Sequence, residues 1–340
     1  MRIALIHDWL TGMRGGEKVL AELCKLMPQA DLLTLIHVPG CCDATIEQMR
    51  IITSWLGDLP GVRHYYRYLL PAMPLAIERM DVDRYDLVIS SSHCVAKGIC
   101  RSPESVHLCY CHTPMRYAWS QQRTYRSAMG PTGLALEAAG RFLRAWDRRS
   151  ASHVDGFIAN SKNVLQRIWQ AYGRRGDVVY PPIDTGFYTP GDCRREDFYL
   201  MVTALAPNKG VDQAIAAASK LSRPLRIIGS GPMAKRLRRI APPNVTFMGW
   251  QSNEVVRDNY RRCRALLFPG QEDFGMVPLE AMACGTPVVA FASGGASETV
   301  LGADSQNPAG PTGVLYSPQS PDTLAQAIIH FEGIEGGFDP

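Results

Sequence analysis

Residues 265–290 constrain the fold more than any other part of this sequence. The apolar run Ala265–Phe268 has the length of a buried strand and stops at a Pro-Gly pair. Pro278 suits the first turn of a helix, where its missing N–H loses nothing, and Gly285 is the residue type that ends one. Residues 288–290 then begin a second apolar strand. Strand, loop, helix and strand in this order predict a parallel α/β sheet.

The loop in this stretch has the composition of a sugar-nucleotide site. Glu272 precedes the helix, and Glu280 lies in its first turns. Free backbone N–H groups at a helix start bind anions, and Gly275, which has no Cβ, lets another molecule approach the backbone closely. Carboxylates repel phosphates but accept hydrogen bonds from hydroxyl groups, so an anion flanked by hydroxyls fits here. We expect the buried face of this helix to consist of Leu279, Met282 and Ala283.

The two glutamates have seven residues between them, within a Phe-Pro-Gly, Glu-Asp-Phe-Gly and Pro-Leu-Glu-Ala-Met-Ala-Cys-Gly-Thr-Pro-Val-Val run. This pattern resembles the E-x7-E signature of retaining glycosyltransferase family 4. The resemblance implies the α/β GT-B fold, in which two Rossmann-like parallel-sheet domains face each other across a cleft. It extends to His-Asp-Trp-Leu-Thr-Gly-x-Arg-Gly-Gly-Glu-Lys near the start and Cys-His-Thr-Pro-Met-Arg-Tyr-Ala-Trp in the middle. The combination is similar to the mannosyltransferase-like branch of bacterial polysaccharide biosynthesis.

The chain length and the distribution of Pro and Gly predict two domains. A chain of 340 residues is long enough for two full cores, and strands alternate with helical segments in both halves. Residues 181–196 are dense in Pro and Gly and are interpreted as an interdomain linker. Residues 1–180 then form an acceptor-side domain and residues 197–340 a nucleotide-sugar domain. Family members usually end with a helix that crosses back onto the first domain, and no such helix is evident here.

Composition excludes several classes of protein. The formal net charge of +4 is too mild to indicate a nucleic-acid binder. No apolar run approaches transmembrane length, and the N-terminus does not have the pattern of a signal peptide. The ten cysteines lack the spacing of a disulfide scaffold, so we expect reduced thiols in the cytoplasm. Cys109, Cys111 and His112 look like a metal cluster, but no second ligand pair is evident, so no metal site is predicted.

In the first half, candidate residues follow the predicted strands. A Gly-Gly loop, Gly15 and Gly16, lies between the first strand and a helix, and such a turn can hold phosphate or simply be tight. The resemblance implies that it packs near the donor diphosphate. His112 follows another strand and resembles the histidine that family members direct at the donor sugar and the reacting centre; the alternative is a histidine satisfied by a loop hydrogen bond. The predicted acceptor side comprises Trp9, Arg14, His93, Lys97, Arg116 and Tyr117.

In the second half, Lys209 follows a strand at a position suited to a diphosphate, whose charge grows as it leaves. The family commonly has an arginine five residues earlier, where this chain has Ala204, so one phosphate cation is missing. Gly231 belongs to a Gly-x-Gly turn that lines the nucleotide in the family. The resemblance further implies that Glu272 binds the donor sugar and Glu280 the ribose. The remaining expected donor contacts are Phe274, Gly275, Met276 and Val277.

The resemblance implies a retaining, metal-independent hexosyltransferase without a cofactor, whose catalytic residues are His112, Glu272 and Lys209. The acceptor hydroxyl attacks from the side on which the diphosphate leaves. The expected donor is GDP-mannose, with UDP-glucose or another UDP-sugar as the alternative, and the expected acceptor is lipid-linked or an oligosaccharide. Two rival hypotheses are a catalytically inactive sugar-nucleotide-binding subunit and a nucleotide-sugar 2-epimerase.

Two stretches combine aromatic residues with arginines, as interfacial helices do. They are residues 62–70 and residues 141–149, and in the second Phe142, Leu143 and Trp146 can share one helical face. The alternative is that each packs its apolar side on the protein, with solvated arginines. The first interpretation predicts peripheral contact with the inner face of the cytoplasmic membrane.

Overall fold

The computed structural model describes residues 1–119, 133–303 and 310–338. The chain divides into two compact units, Met1–Pro182 and Ile183–Pro340. The division falls inside the segment 181–196 that the sequence assigns to the linker. Residues from Ile183 onward belong to the second unit, and Tyr188 is buried in its core. The first unit therefore ends close to its expected boundary, while much of the expected linker is part of the second unit.

The first unit contains a seven-stranded parallel sheet. Its strand order is β3-β2-β1-β4-β5-β6-β7, which places the first strand beside the second and fourth, as in doubly wound folds. The strands are β1 (Ile3–His7), β2 (Asp31–Thr34), β3 (Arg50–Thr53), β4 (Leu87–Ser92), β5 (Val106–Cys111), β6 (Gly156–Ala159) and β7 (Gly176–Val178).

Helices cover both faces of this sheet. They are Gly15–Leu26, Ala44–Glu47, Met73–Glu78, Arg116–Trp119, Gly133–Ser150 and Lys162–Tyr172, with short 3-10 turns at Val62–His64, Tyr66–Leu69, Ala96–Gly98 and Ala151–His153. Ser161 caps the start of the helix Lys162–Tyr172, and its hydroxyl accepts the Val164 N–H at 3.0 Å. In the helix Gly15–Leu26, Val19, Leu20 and Cys24 are buried and Leu23 is partly buried.

The second unit contains a six-stranded parallel sheet of order β10-β9-β8-β11-β12-β13. The strands are β8 (Tyr199–Val202), β9 (Leu225–Ile228), β10 (Val245–Gly249), β11 (Ala265–Phe268), β12 (Val288–Phe291) and β13 (Gly313–Tyr316). The helices are Val211–Leu221, Ala234–Ile240, Asn253–Arg262, Met276–Ala283, Ala296–Thr299 and Pro321–Ile334, with 3-10 turns at Pro207–Lys209 and Glu335–Gly337. Both sheets confirm the α/β class with two Rossmann-like units.

One predicted helix face is wrong. The helix Met276–Ala283 buries Pro278, Glu280 and Ala281, whereas Leu279, Met282 and Ala283 are partly exposed. The helix is apolar on nearly all sides, so its periodicity does not identify the inner face. The face is set instead by the neighbouring strands.

The two aromatic and basic stretches have different structures, and their contact with a membrane stays a prediction. Residues 62–70 form two 3-10 turns that bury Val62 and Tyr66. In the helix Gly133–Ser150, Leu143 and Trp146 are buried in the core and Phe142 is 58% exposed. The expectation of one shared face is therefore wrong, because the sheet takes two of the three apolar side chains. Of the helices that the structure describes, none combines the length and apolar character needed to cross a membrane.

Candidate active site

Two loops of the second unit meet at the carboxyl ends of β8 and β11. A Cβ on Gly210 would lie 3.1 Å from the Pro269 ring, and a Cβ on Gly270 would lie 3.0 Å from the Lys209 carbonyl oxygen. Gly210 has a φ of +65°, which suits glycine. The two glycines thus allow close contact between the loop that carries Lys209 and the loop that leads to Glu272.

This contact produces an ion pair between two of the predicted catalytic residues. The Lys209 ammonium lies 2.7 Å from a carboxylate oxygen of Glu272. The side chains are 16% and 24% exposed, so both are accessible while partly shielded from water. A carboxylate in this position holds the ammonium in place and remains able to accept hydrogen bonds from hydroxyl groups.

A helix N-terminus lies three residues after Glu272. Gly275 is its N-cap, with a φ of +92° that favours glycine. Met276 and Val277 begin the helix and are partly exposed, whereas the Phe274 side chain is buried. The backbone of residues 275–277 is therefore the part of the predicted donor loop that can offer N–H groups to an anion, and the Phe274 ring is not accessible.

A second glycine pair, which sequence reasoning missed, supports this loop. The Gly295 N–H donates to the Glu272 carbonyl oxygen at 2.9 Å. A Cβ on Gly294 would overlap the Glu272 backbone, and a Cβ on Gly295 would overlap that of Phe274. The sequence feature that could have indicated this support is the pair Gly294-Gly295 itself, which begins six residues after the start of the strand Val288–Phe291.

Glu280 has a different setting from Glu272. It is buried, and the Tyr260 hydroxyl donates to its carboxylate at 3.2 Å. Burial, followed by the nearby Glu280 carboxylate, raises the pKa of both Tyr188 and Tyr260. The structure thus holds Glu280 with two tyrosines inside the unit. Ribose binding by Glu280 remains a prediction, and it requires a ligand to reach this buried carboxylate.

Gly231 has a packing role that needs no ligand. A Cβ at this position would lie 2.5 Å from the Leu205 carbonyl oxygen and 2.7 Å from its nitrogen. The Leu205 N–H donates to Ser230 at 2.9 Å, so the turn after β9 lies directly on the segment after β8. Ala204 in that segment is exposed. A longer side chain at Ala204 would project into solvent.

In the first unit, His112 follows β5 and joins a hydrogen-bonded array. Its Nε2 lies 2.8 Å from the Ser91 hydroxyl, which lies 3.1 Å from His7 Nδ1. Burial lowers the pKa of His112 to about 3, and the neighbouring His93 and His7 add to this effect. His112 is therefore a neutral imidazole at physiological pH. A Cβ on Gly16 would lie 3.7 Å from His112 Nε2, so the predicted Gly-Gly loop is adjacent to the predicted catalytic histidine.

Glu17, which sequence reasoning did not single out, closes the other end of this array. It is buried, and a carboxylate oxygen lies 4.0 Å from His7 Nε2. The second oxygen accepts the Arg14 N–H at 3.1 Å. Burial alone would raise the pKa of Glu17, but its interactions with His7 outweigh burial and lower it.

Asp8 organises the strand end next to this array and was also missed. The carboxylate is fully buried and lies 2.9 Å from His93 Nδ1. Burial alone would raise the pKa of Asp8, but His93 holds it below its usual range. Burial alone would lower the pKa of His93, but the Asp8 carboxylate outweighs burial and raises it. Asp8 also accepts the backbone N–H groups of His93, Cys94, Val95 and Ala96 at 2.6–3.0 Å.

The predicted acceptor residues have different positions. Arg14 is exposed, and His93 and Arg116 are partly exposed. Trp9 is 6% exposed, and its ring packs edge-on against His93 with centroids 4.6 Å apart. Trp9 is therefore part of the core and does not present its ring to an acceptor. The side chain of Tyr117 lies outside the described residues.

Lys97 was predicted on the acceptor side, and this prediction is wrong. It is 1% exposed, and its ammonium lies 2.6 Å from the Asp147 carboxylate. The helix that carries Asp147 covers the turn Ala96–Gly98, so Lys97 points into the unit.

All ten cysteines are free in the structure, and the reduced state expected from the sequence stays a prediction. Cys109 and Cys111 lie on one face of β5 and are buried in an apolar cluster. Within the described ranges, the group of side chains close enough to hold a metal ion is instead Cys41, Cys42 and Glu47.

The chain has two Rossmann-like units, and one of them has an ammonium and a carboxylate beside a helix N-terminus. In α/β folds of this class, ligands bind at the carboxyl ends of the parallel strands. Residues 13–187, just over half of the chain, match the family model described as Glycosyltransferase Family 4. Residues 193–335 match the model described as Glycosyl transferases group 1. The chain belongs to glycosyltransferase family 4.

Curated relatives cover part of the chain. An uncharacterized glycosyltransferase of Methanocaldococcus jannaschii is 30% identical over 192 residues, 55% of this chain and 52% of its own length. A D-inositol 3-phosphate glycosyltransferase of Mycobacterium tuberculosis is 30% identical over 209 residues, 54% of this chain and 42% of its own length. The chain thus spans about half the length of the curated relatives it matches.

Solved structures resemble the whole chain. HepE of Anabaena in complex with UDP has a TM-score of 0.67 at 17% identity, with 99% of this chain and 92% of that chain covered. Sucrose-phosphate synthase of Thermosynechococcus elongatus has a TM-score of 0.70 at 18% identity, with 99% and 91% covered. At these identities the likeness establishes the fold, which is GT-B.

Proposed function

We propose that this protein is a retaining glycosyltransferase that transfers a hexose, mannose from GDP-mannose, to a lipid-linked or oligosaccharide acceptor in bacterial surface polysaccharide synthesis. The observation that carries the proposal is the Lys209–Glu272 pair beside the helix that starts at Met276. It combines a cation and free N–H groups for a diphosphate with a carboxylate for sugar hydroxyls. Membership of glycosyltransferase family 4 supports the same activity.

In the proposed reaction the acceptor hydroxyl attacks the anomeric carbon from the side on which the diphosphate leaves. The new glycosidic bond forms, the bond to the diphosphate breaks, and the leaving phosphate takes the acceptor proton. Lys209 stabilises the charge that develops on the phosphate, since a fixed cation in a partly shielded site acts without reorganisation. Glu272 holds the donor sugar, and neutral His112 offers a hydrogen bond to the reacting sugar. The mechanism uses no metal ion or cofactor.

A UDP-sugar, UDP-glucose in particular, is the second candidate donor. The solved complexes of Anabaena HepE contain UDP and UDP-glucose, and they share the GT-B fold with this chain. We keep GDP-mannose as the first candidate because the motifs in the first half are similar to the mannosyltransferase-like branch.

A thermal-shift series distinguishes the donors. The protein is melted with equal concentrations of GDP-mannose, UDP-glucose and ADP-glucose. A ligand at 100 times its Kd stabilises by about 2.7 kcal/mol, which corresponds to a rise in Tm of about 5–10 °C for a unit of this size. A rise with GDP-mannose alone supports the first candidate. A rise with UDP-glucose alone replaces it with the second.

Turnover separates an enzyme from an inactive binding subunit, the alternative that Ala204 motivates. We expect Glu272→Ala and Lys209→Ala each to lower kcat by about 100-fold or more, as loss of one electrostatic contact in a transition state does. Glu254→Ala, an exposed glutamate in the same unit, is the matched control. Background turnover of the donor in both the wild type and Glu272→Ala would refute the enzyme hypothesis. Free nucleotide released without any acceptor product would favour the 2-epimerase.

A further inference from the structure

Two adjacent cysteines in the loop after β2 form a vicinal dithiol. The sulfur atoms of Cys41 and Cys42 are 3.6 Å apart, and both residues are partly buried. The Cys41 thiol also lies 3.3 Å from the Leu10 carbonyl oxygen, to which it donates. Both thiols therefore point to the same place, next to the segment that follows β1.

A carboxylate faces these sulfurs. Glu47 lies in the short helix Ala44–Glu47, and one of its oxygens accepts the backbone N–H groups of Gly40 and Cys42, each at 3.1 Å. Its other oxygen lies 3.1 Å from His37 Nε2. The two sulfurs and a carboxylate oxygen lie within 4.8 Å of one another. The surrounding backbone and His37 thus hold the carboxylate in a fixed position toward the thiols.

We propose that Cys41, Cys42 and Glu47 form a site for a zinc-like divalent cation, with a water molecule as the fourth ligand. Two sulfurs bound to one tetrahedral zinc ion lie about 3.8 Å apart, given a zinc–sulfur distance of about 2.3 Å. The observed 3.6 Å between the two sulfurs needs little adjustment to reach this value. Zinc binds thiolates together with a carboxylate oxygen, whereas magnesium and calcium require oxygen ligands. Two thiolates and one carboxylate therefore favour zinc over these two ions.

His37 orients the carboxylate of the site. Its Nε2 lies 3.1 Å from one Glu47 carboxylate oxygen. Histidine bonded to a ligating carboxylate is a common outer-shell arrangement that orients the ligand. Binding displaces the two thiol protons, which enter the solvent as the two metal–sulfur bonds form.

The site lies at the base of the segment that leads to the Gly-Gly loop. His37 and Leu10 form a parallel backbone bridge, and the Cys41 thiol donates to the Leu10 carbonyl oxygen. A bound ion joins Cys41 and Cys42 to the helix Ala44–Glu47. The Cys41 thiol gives up its hydrogen bond to Leu10 when it loses its proton, so the His37–Leu10 bridge is what places this loop beside the segment after β1. The role is structural, and it does not depend on the proposed transfer reaction.

Cobalt titration tests the site directly. The reduced, metal-free full-length protein is titrated with Co²⁺ alone, and the sulfur-to-cobalt charge-transfer band and the visible bands of a four-coordinate ion are recorded. We expect saturation at about one ion per chain and displacement of cobalt by Zn²⁺, which four-coordinate sulfur sites bind more tightly. Tm should rise with Zn²⁺, since the ion binds the folded state.

Variants assign the ligands. Cys41→Ser and Cys42→Ser should each weaken Zn²⁺ binding by at least about 100-fold, and His37→Gln by about 10-fold. Cys100→Ser, an exposed cysteine in the same unit, is the control and should bind normally. Circular dichroism verifies that each variant is folded, and Glu47→Gln provides a second test that leaves both thiols in place. Absence of the charge-transfer band in the wild type, or its persistence in Cys41→Ser, would overturn the proposal.

Discussion

A buried ion pair in the first unit gives the sharpest stability prediction. The Lys97 ammonium lies 2.6 Å from one carboxylate oxygen of Asp147, and it donates to the Ser150 hydroxyl at 2.7 Å. The other oxygen of Asp147 accepts from Trp119 Nε1 at 2.7 Å and from the Tyr172 hydroxyl at 2.8 Å. Both charged side chains are almost completely buried. Each member of this network depends on the others for its hydrogen bonds.

The substitution Asp147→Asn keeps the shape of the side chain but leaves the Lys97 charge uncompensated. Removal of one partner of a buried pair costs about 3–5 kcal/mol. For a unit of this size, each kcal/mol lowers Tm by about 2–4 °C, so we expect a fall of about 6–20 °C. The double variant Lys97→Met/Asp147→Asn has no buried charge, and replacement of a whole buried pair is often close to neutral. It should therefore be more stable than Asp147→Asn alone.

Tryptophan fluorescence during urea unfolding is the appropriate assay. Five of the six tryptophans precede Pro182, so the signal reports mainly on the first unit. Asp83→Asn, an exposed aspartate in the same unit, is the control and should change the free energy of unfolding by less than about 0.5 kcal/mol. A loss below about 1 kcal/mol for Asp147→Asn, or a double variant less stable than the single one, would refute the reasoning.

Two further predictions concern the donor site and pH. Ala204→Arg adds a cation at an exposed position. One charge-assisted hydrogen bond contributes about 1.5–3 kcal/mol, so the Kd for the nucleotide sugar should fall at least about 10-fold. An unchanged Kd in calorimetry would contradict this expectation. Burial lowers the pKa of His107 to about 4, so the unfolded state binds more protons between pH 4 and 6.5 and stability falls as pH decreases through that window. From pH 7 to pH 5 this loss is about 2 kcal/mol. His107→Gln should remove the loss when the free energy of unfolding in urea is measured at each pH. An unchanged dependence of this free energy on pH would show that His107 does not titrate as argued.

The central strands could be predicted from sequence, whereas of the four edge strands only Val245–Gly249 could. Apolar runs identify strands such as Val106–Cys111 and Ala265–Phe268 because both faces of a central parallel strand are buried. The strands Arg50–Thr53, Gly176–Val178 and Gly313–Tyr316 were missed, and all three lie at sheet edges. The first two are only partly buried, so their composition carries little hydrophobic signal.

In the candidate site, contacts between residues close in the sequence could be predicted, and contacts made by strand pairing could not. The Glu272 loop could be predicted because its residues are close together in the sequence. The array around His112 could not, because strand register creates it. In the pairing of β1 with β4, His7 lies opposite Ser91, and Ser91 pairs with Tyr110 of β5. Residues more than eighty positions apart thus become hydrogen-bonded neighbours, and no local motif encodes that contact.

Ser91 links the protonation of two histidines. Its hydroxyl has one proton and lies between His7 Nδ1 at 3.1 Å and His112 Nε2 at 2.8 Å. If Ser91 donates to His112, then the neutral His112 carries its proton on Nδ1, and His7 must donate to Ser91 through Nδ1. If Ser91 donates to His7 instead, then His112 donates to Ser91 through Nε2, and its Nδ1 is an acceptor. Ser91 therefore couples the tautomers of the two histidines, and the direction of its hydrogen bonds decides whether His112 offers a ligand a donor or an acceptor at Nδ1.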